Sequence, residues 1–519
     1  MSKTFVDRHY KWIASGVLLI GIFMTLLDTT IVDIVLPKMI ASLNTDTYGI
    51  QWVITIYLIG SAVTMTTVGW LGKKISYYWI YMIGISLFTL MSFFCSQASS
   101  LSQMVTFRLF QGVGEGLVVT IGLTMMYRVF PPEERGTAIG IYGLGAMMAP
   151  SIGPALGGLL TEHFAWRSIF FVNIPVGIIG IILTMLFLSR IKGERDKSAR
   201  LNWPSLLLLS IALASLITFL SKGQEKGWTQ SNFILNLIIV FVVSMTLYLW
   251  NELRSDNPLL DHKLFKISNF RNPVIVLALV SFVAYGSLLL LPLYMENLRG
   301  YPTLTTGLVI LPIGIVTAVF SVTGGIISDR YSPKWVLFVG VLLLAIGAWT
   351  LTLLDLYTSK YTIVLYFLLY GVPMGLCFPP AQAIAFADLE ESSVNMGSSI
   401  TNVVRLVTGS IATSFSVTVF ERARHRAYVS ISEHATLGHK PLLYTYKKLS
   451  LLLHRVGTPE NWIDYRTKTV LKMLQDAYAS ETAFQNTFYW LVFFALASII
   501  FVMLIKWDKN RKVKKVAMH

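Results

Sequence analysis

Five ionisable side chains sit inside stretches that are otherwise apolar: Asp28, Asp33, Arg108, Glu115 and Arg405. A charge at the centre of a membrane-spanning helix costs about 2.5–3.5 kcal/mol on insertion scales, so each is a candidate for binding or proton handling. Asp33 lies near the outer end of its stretch, where plain interfacial solvation is an equally good reading. Asp28 and Glu115 lie deeper. Glu115 follows Arg108 by about two helical turns, so both side chains can face one cavity. Burial makes a carboxylate harder to ionise and a neighbouring arginine makes it easier. That opposition could set a proton site that titrates near neutral pH. Arg108 can equally be a structural partner of Asp28 or of backbone carbonyls.

Helices long enough to cross a bilayer must position these groups. The chain of 519 residues is 54% hydrophobic and only 13% charged, whereas a soluble domain carries roughly 25% charged residues. An ordinary soluble enzyme, a disordered chain and a disulfide scaffold are excluded. A crossing helix needs roughly 20 apolar residues. Such runs fall near 12–36, 51–71, 78–97, 103–127, 137–160, 167–189, 203–221, 231–250, 273–295, 303–328, 334–356, 361–386, 394–420 and 486–506, which makes 14. The first is too long for a signal-peptide core and lacks a small-residue cleavage site, so it reads as an uncleaved span.

An even count puts both termini on one side, and charge says which. With the termini inside, 24 Lys and Arg fall in inner segments, against Lys38, Arg167, Lys222, Lys226, Arg299 and Lys360 in short outer loops. Positive charge marks the cytoplasmic side. The formal net charge of +15 is then largely a topology signal, and nucleic acid is not the expected partner. Cys95 and Cys377 lie in apolar runs and read as small buried hydrophobes. No Gly-Lys-Ser/Thr phosphate loop and no His-Glu-x-x-His pair is present, so neither direct ATP coupling nor metalloprotease chemistry is expected. The expectation is a non-enzyme with no cofactor and no metal.

A repeat appears at one offset. Gly69-Trp-Leu-Gly-Lys73-Lys74 ends the second span and Gly325-Ile-Ile-Ser-Asp329-Arg330 the tenth, 256 residues on. Gly112-Val-Gly and Gly371-Val-Pro are 259 apart, and Glu133 and Glu390 are 257 apart. These matches support a duplicated six-helix unit, with a site between the halves. The expected organisation is a six-helix bundle over 1–190, a linker with two inserted spans over 191–268, and a second six-helix bundle over 269–519. The last includes an outer segment at 421–485.

The fifth span concentrates Gly143, Gly145, Pro150, Gly153, Pro154, Gly157 and Gly158. Small residues at four-residue spacing permit close helix approach, and prolines bend the helix. This is a packing seam that can also carry rocking of the halves. With 30 Phe, 23 Tyr, 13 Trp and 19 Met, the path leans towards bulky amphipathic substrates. In 421–485, Leu449 to Leu453 and Val470 to Leu474 suggest two amphipathic helices parted by Gly457-Thr-Pro. That segment reads either as a lid or as a docking surface.

The chain resembles the 14-span drug:proton antiporter branch of the major facilitator superfamily, and EmrB-type multidrug exporters in particular. Leu27-Asp28-Thr29-Thr30-Ile31-Val32-Asp33 with Leu36-Pro37 is similar to the branch's first-span signature, with Asp33 in place of the usual Asn. Arg108-Leu-Phe-Gln111-Gly112 is similar to its proton-coupling arginine motif; Glu115 lies outside that pattern. Gly153-Pro154-Ala-Leu-Gly157-Gly158 resembles the antiporter motif tied to conformational change. Lys73-Lys74 resembles the basic version of a cytoplasmic loop motif, whereas Asp329-Arg330 keeps the acidic one. Arg405 with Gly409-Ser410-Ile411 also fits.

The resemblance implies an all-α polytopic membrane protein of the major facilitator fold. It further implies a proton-coupled exporter of amphipathic drugs or toxic compounds, with Asp28, Asp33, Arg108, Glu115 and Arg405 as coupling or binding residues. Multi-pass placement in the bacterial cytoplasmic (inner) membrane is expected. The partners implied are protons, the small-molecule substrate, the lipid bilayer, and a membrane-fusion adaptor with an outer-membrane channel. Two alternatives stand: a dedicated exporter of one metabolite such as a siderophore, fatty acid or lipid precursor, and a membrane docking or sensory module.

Overall fold

In hydrocarbon no water satisfies exposed peptide groups, so a run of apolar residues long enough to cross has to close its own hydrogen bonds as a helix. A computed structural model describes residues 3–191, 200–255, 257–434 and 440–507. It places 14 helices long and apolar enough to cross a membrane. In chain order the long helices are α1 (Lys3–Ser42), α2 (Trp52–Lys74), α3 (Tyr77–Gln97), α4 (Leu101–Val129), α5 (Arg135–His163), α6 (Asn173–Phe187), α7 (Trp203–Lys222), α8 (Asn232–Arg254), α9 (Ser268–Leu293), α10 (Thr303–Arg330), α11 (Pro333–Leu351), α12 (Lys360–Ala387), α13 (Val394–His434), α14 (Lys440–Arg455) and α15 (Glu460–Met503). All but α14 are spans.

Their starts follow local chemistry. Ser100, Asn202 and Ser359 accept hydrogen bonds from the backbone amides of Gln103, Ser205 and Thr362, and Pro333 sits in the first turn of α11. Such caps satisfy donors that the helix itself leaves unpaired. A 3₁₀ turn at Pro132–Glu134 leads into α5, and another at Glu391–Ser393 leads into α13.

The halves meet through a crossed pairing: α5 packs on α10, and α13 packs on α2. In each pair the fifth helix of one half meets the second helix of the other. Glycine permits the first contact, since a Cβ on Gly140 would lie 2.7 Å from the Ser321 carbonyl oxygen. The inserted α7 and α8 stack on each other, and α7 leans on α2 and α13. Leu209, Leu213, Ile217 and Tyr248 form a small core there with Ala62, while Ile239, Val242, Val243 and Leu247 of α8 face outward.

The outer segment is more continuous with the spans than the leucine pattern suggests. α13 runs on to His434, and α15 is one 44-residue helix from the excursion into the last span. Only α14 is a separate amphipathic helix, and it packs on α15. Gly457, with φ 80°, takes the left-handed turn between them.

Candidate functional site

Arg108 and Asp28 have no solvent exposure and form an ion pair. Bulk on both sides of α4 removes them from water: Tyr57 of α2 lies under the guanidinium, 3.9 Å from its carbon to the ring centre. Arg108 Nη1 also donates to Gln111 Oε1 at 3.0 Å, and Nε donates to the Val53 carbonyl at 3.2 Å. The second oxygen of Asp28 accepts from Asn173 Nδ2 at 2.7 Å. Gln111 Nε2 and Asn173 Nδ2 both reach Ser92 Oγ, at 2.7 and 3.3 Å. Five helices of the first half (α1, α2, α3, α4 and α6) thus converge on one pair. Buried charge is tolerated because the pair neutralises itself and most remaining hydrogen-bonding groups are met, although Arg108 Nη2 is buried without a partner among the described residues.

Glu115, two turns further along α4, is 3% exposed. Thr29 Oγ1 donates to its Oε1 at a long 3.4 Å, and Oε2 is buried with no partner among the described residues. Arg108 and Glu115 share a helix and the neighbouring Tyr57, but no ion pair joins them. Asp33 is exposed on α1 and feels Arg108 across space without a hydrogen bond or ion pair to the Asp28 network.

Arg405 of α13 is 8% exposed. Its Nη2 donates to Tyr142 Oη at 3.4 Å, and its carbon lies 5.8 Å from the Phe378 ring centre. Tyr142 also donates to Asn402 Oδ1 at 3.4 Å. Beside Arg405 lies a cavity of about 110 Å³ between the halves. Most of its lining comes from α9, α10 and α12, with Leu26 of α1 and Pro150 of α5.

Below the cavity, at the end carrying both termini, hydrogen bonds tie the halves together. Asp329 at the end of α10 accepts from the backbone amides of Gly136 and Thr137 at 2.8 and 2.7 Å, and from Thr137 Oγ1 at 2.6 Å. A carboxylate at a helix start is favourably placed against the helix dipole. Neighbouring Arg330 is exposed, and Arg135 pairs with Glu391 at 2.6 Å. The matching end of α2 carries Lys73, which is exposed, and Lys74. There Asn395 Nδ2 of α13 donates to the carbonyls of Val68 and Gly69 at 2.8 and 3.3 Å. Among the described residues, no hydrogen bond joins the two six-helix halves beyond the level of Tyr142 and Arg405 towards the other end.

The glycine motif of α5 faces two ways. A Cβ on Gly153 would overlap Thr30, and one on Gly157 would lie 3.1 Å from Ile31, so these residues seat α5 on α1 within the first half. Pro154 is buried with them. Gly158 faces Leu304 of α10 at 3.6 Å, an ordinary contact. Tight contacts between the halves run along the whole α5–α10 pair: Gly136, Gly140 and Gly143 meet Gly325 and Ser321, and Ser151 and Ala155 of the motif stretch meet Gly314 and Gly307.

Residues 18–413 match the family model of the Major Facilitator Superfamily. The chain belongs to the major facilitator superfamily. It is 27% identical to the multidrug export protein EmrB of Escherichia coli over 79% of this chain and 80% of that one. It is 32% identical to the multidrug resistance protein Stp of Mycobacterium tuberculosis, over 77% and 73% of the two chains. It is 30% identical to the riboflavin transporter RibZ of Clostridioides difficile, over 80% and 89%. The human organic anion transporter MFSD10 shares the fold with a TM-score of 0.60 at 12% identity, over 95% of this chain and 99% of that one.

As a major facilitator protein of EmrB type, the chain has two six-helix bundles and two inserted helices. Asn173, Tyr57 and Tyr142 complete the site, yet none stands out in the sequence as a site residue. Asn173 carried one signal, an amide side chain inside the apolar run 167–189. The tyrosines carried none, because an aromatic in a span is ordinarily packing.

Proposed function

We propose that this transporter exports amphipathic compounds across the cytoplasmic membrane in exchange for protons. The observation that carries the reading is the buried carboxyl of Glu115. It has one long hydrogen bond, one oxygen without a close partner and no cation in contact, with the Ser61 and Tyr57 hydroxyls nearby and Arg108 and Arg405 within electrostatic reach. An unpaired charge buried there is expensive, and accepting a proton removes it. The Asp28–Arg108 pair, fixed by five helices, is the second element: a proton on Asp28 would break an ion pair to which α1, α4 and α6 all contribute.

With positive charge marking the inside, the hydrogen-bonded terminal end is the cytoplasmic one, and this conformation is closed to the cytoplasm. The similarity to EmrB and Stp favours a range of substrates, whereas that to RibZ favours a single metabolite. The apolar surface of the outer segment, with Leu451, Trp462 and Tyr465 exposed, suits docking of a membrane-fusion adaptor.

Purified protein in liposomes, given an imposed pH gradient and a chemically diverse panel, tests the reading. Several unrelated compounds moving against their gradients support a broad exporter, and one moving alone supports the dedicated one. Flux absent under every gradient removes the transport reading and leaves the docking module.

A further inference from the structure

The cavity between the halves has a one-sided charge pattern for a site expected to take amphipathic compounds. Arg405 is the one charged side chain in its lining among the described residues. Neither Asp28, Asp33 nor Glu115 lines it. The rest is apolar, as at Leu277, Ile310 and Met374, with a few hydroxyls such as Ser281 and Tyr285.

Arg405 is also short of partners. A guanidinium has five N–H donors in a planar fork suited to a two-oxygen acceptor. Here one nitrogen donates at 3.4 Å to Tyr142; Nε and Nη1 have no hydrogen bond to any described residue. No carboxylate of the described residues lies within ion-pair distance of it. More than nine-tenths of the side chain is buried, so water does not supply the lost solvation in full.

We infer that Arg405 is the recognition group for an acidic function on the substrate. The cavity takes molecules that join a bulky apolar body to a carboxylate or comparable oxyanion. The two free nitrogens pair with the anion, and the walls from α9, α10 and α12 hold the body. A cation of the same size meets the like charge of Arg405 with no lining carboxylate to offset it. This inference names the substrate class for the export reading above and rests on it for its physiological meaning.

Three probes with one fluorescent body test it on the purified full chain in detergent: 1-pyrenebutyrate, its methyl ester, and the matching pyrenebutyl trimethylammonium. The expected result is pyrenebutyrate binding at least tenfold tighter than the other two. Arg405→Gln is expected to abolish that preference, and Arg405→Lys to keep part of it, since the charge remains but the fork is lost. Equal binding of all three by the unmodified protein, preference for the cation, or no binding overturns the inference. So does a carboxylate preference that survives in Arg405→Gln. The wild-type ranking stands as a test even if that variant does not fold. Proton-driven flux of cations, indifferent to Arg405, sinks this inference and spares export; Arg405-dependent carboxylate binding without flux of any compound does the reverse.

Discussion

Arg108 and Arg405 are both more than nine-tenths buried, yet their neighbours differ in kind. Arg108 meets a carboxylate, an amide, a backbone carbonyl and a tyrosine face, all from one half. Arg405 meets a phenol and a ring and otherwise borders empty space. Neutralising a charge with several helices fixes those helices relative to one another, whereas leaving one uncompensated beside a cavity reserves its energy for something that arrives. The first half carries a closed charge network and the second an open one. A similar asymmetry recurs at the terminal end, where Asp329 clasps α5 through a charge and Asn395 clasps α2 through neutral bonds.

Breaking the closed network gives the largest expected effect. Asp28→Asn leaves Arg108 buried without its counter-charge, a loss of about 3–5 kcal/mol by analogy with other buried pairs. Proton-driven counterflow in liposomes should vanish while the protein still inserts, and the melting temperature in detergent should fall. The pair Asp28→Asn with Arg108→Gln should recover much of the stability and none of the flux. Counterflow unchanged in Asp28→Asn removes Asp28 from coupling.

The open network should respond differently. Arg405→Gln takes away a charge with no ion-pair partner among the described residues and only a distant attraction to Glu115, so its melting temperature should change by less than that of Asp28→Asn. A larger drop than that of Asp28→Asn would falsify the contrast between the two arginines.

At the terminal end, Asp329→Asn weakens a charged helix cap, worth about 0.5–2 kcal/mol. Asn395→Ala removes neutral hydrogen bonds, worth about 1 kcal/mol each. Amide exchange at residues 135–140 should speed up by about tenfold for a loss near 1.4 kcal/mol in the first variant. In the second variant those amides should stay protected while residues 68–74 exchange faster. Equal changes at both places in both variants would show that the clasps open as one unit.

The smallest effect belongs to a charge outside the spans. Slight burial pushes Asp355, in the loop before α12, towards the neutral form. Hydrogen bonds from Thr358 Oγ1 and the amides of Tyr357 and Thr358, with Arg299 nearby, outweigh it and hold the carboxyl below its ordinary range. A carboxyl depressed on folding stabilises above its unfolded pKa and loses that contribution as pH falls through the folded value. Protection of residues 353–360 should therefore decline below about pH 4, and Asp355→Asn should flatten that decline with little change at neutral pH.

Much was legible beforehand because it depends on composition along one helix. Each of the 14 apolar runs became a span, and both halves carry the 3₁₀ turn before their fifth helix, near the offset of 257. Lys73-Lys74 against Asp329-Arg330 already showed that the two loop motifs differ in charge. What stayed hidden was contact between helices. A spacing of seven puts Arg108 and Glu115 on one face of α4, but which neighbours α1, α2 and α6 bring to each is not a property of α4. Asn173 is 145 residues from Asp28, and nothing local ties them. Likewise the glycines and prolines of α5 were legible as a seam, and only packing showed that it is two-sided, with Gly153 and Gly157 on α1 and Ser151 and Ala155 on α10.

By itself the sequence determined that this chain lives in a bilayer, how many times it crosses and which residues carry charge into the crossing. Those follow from the transfer cost of apolar and charged groups, which each helix meets on its own. The tertiary structure alone decided which of those charges is cancelled. Pairing depends on angstrom-scale approach of side chains from distant helices, and there Arg108 found Asp28 while Arg405 was left facing a cavity.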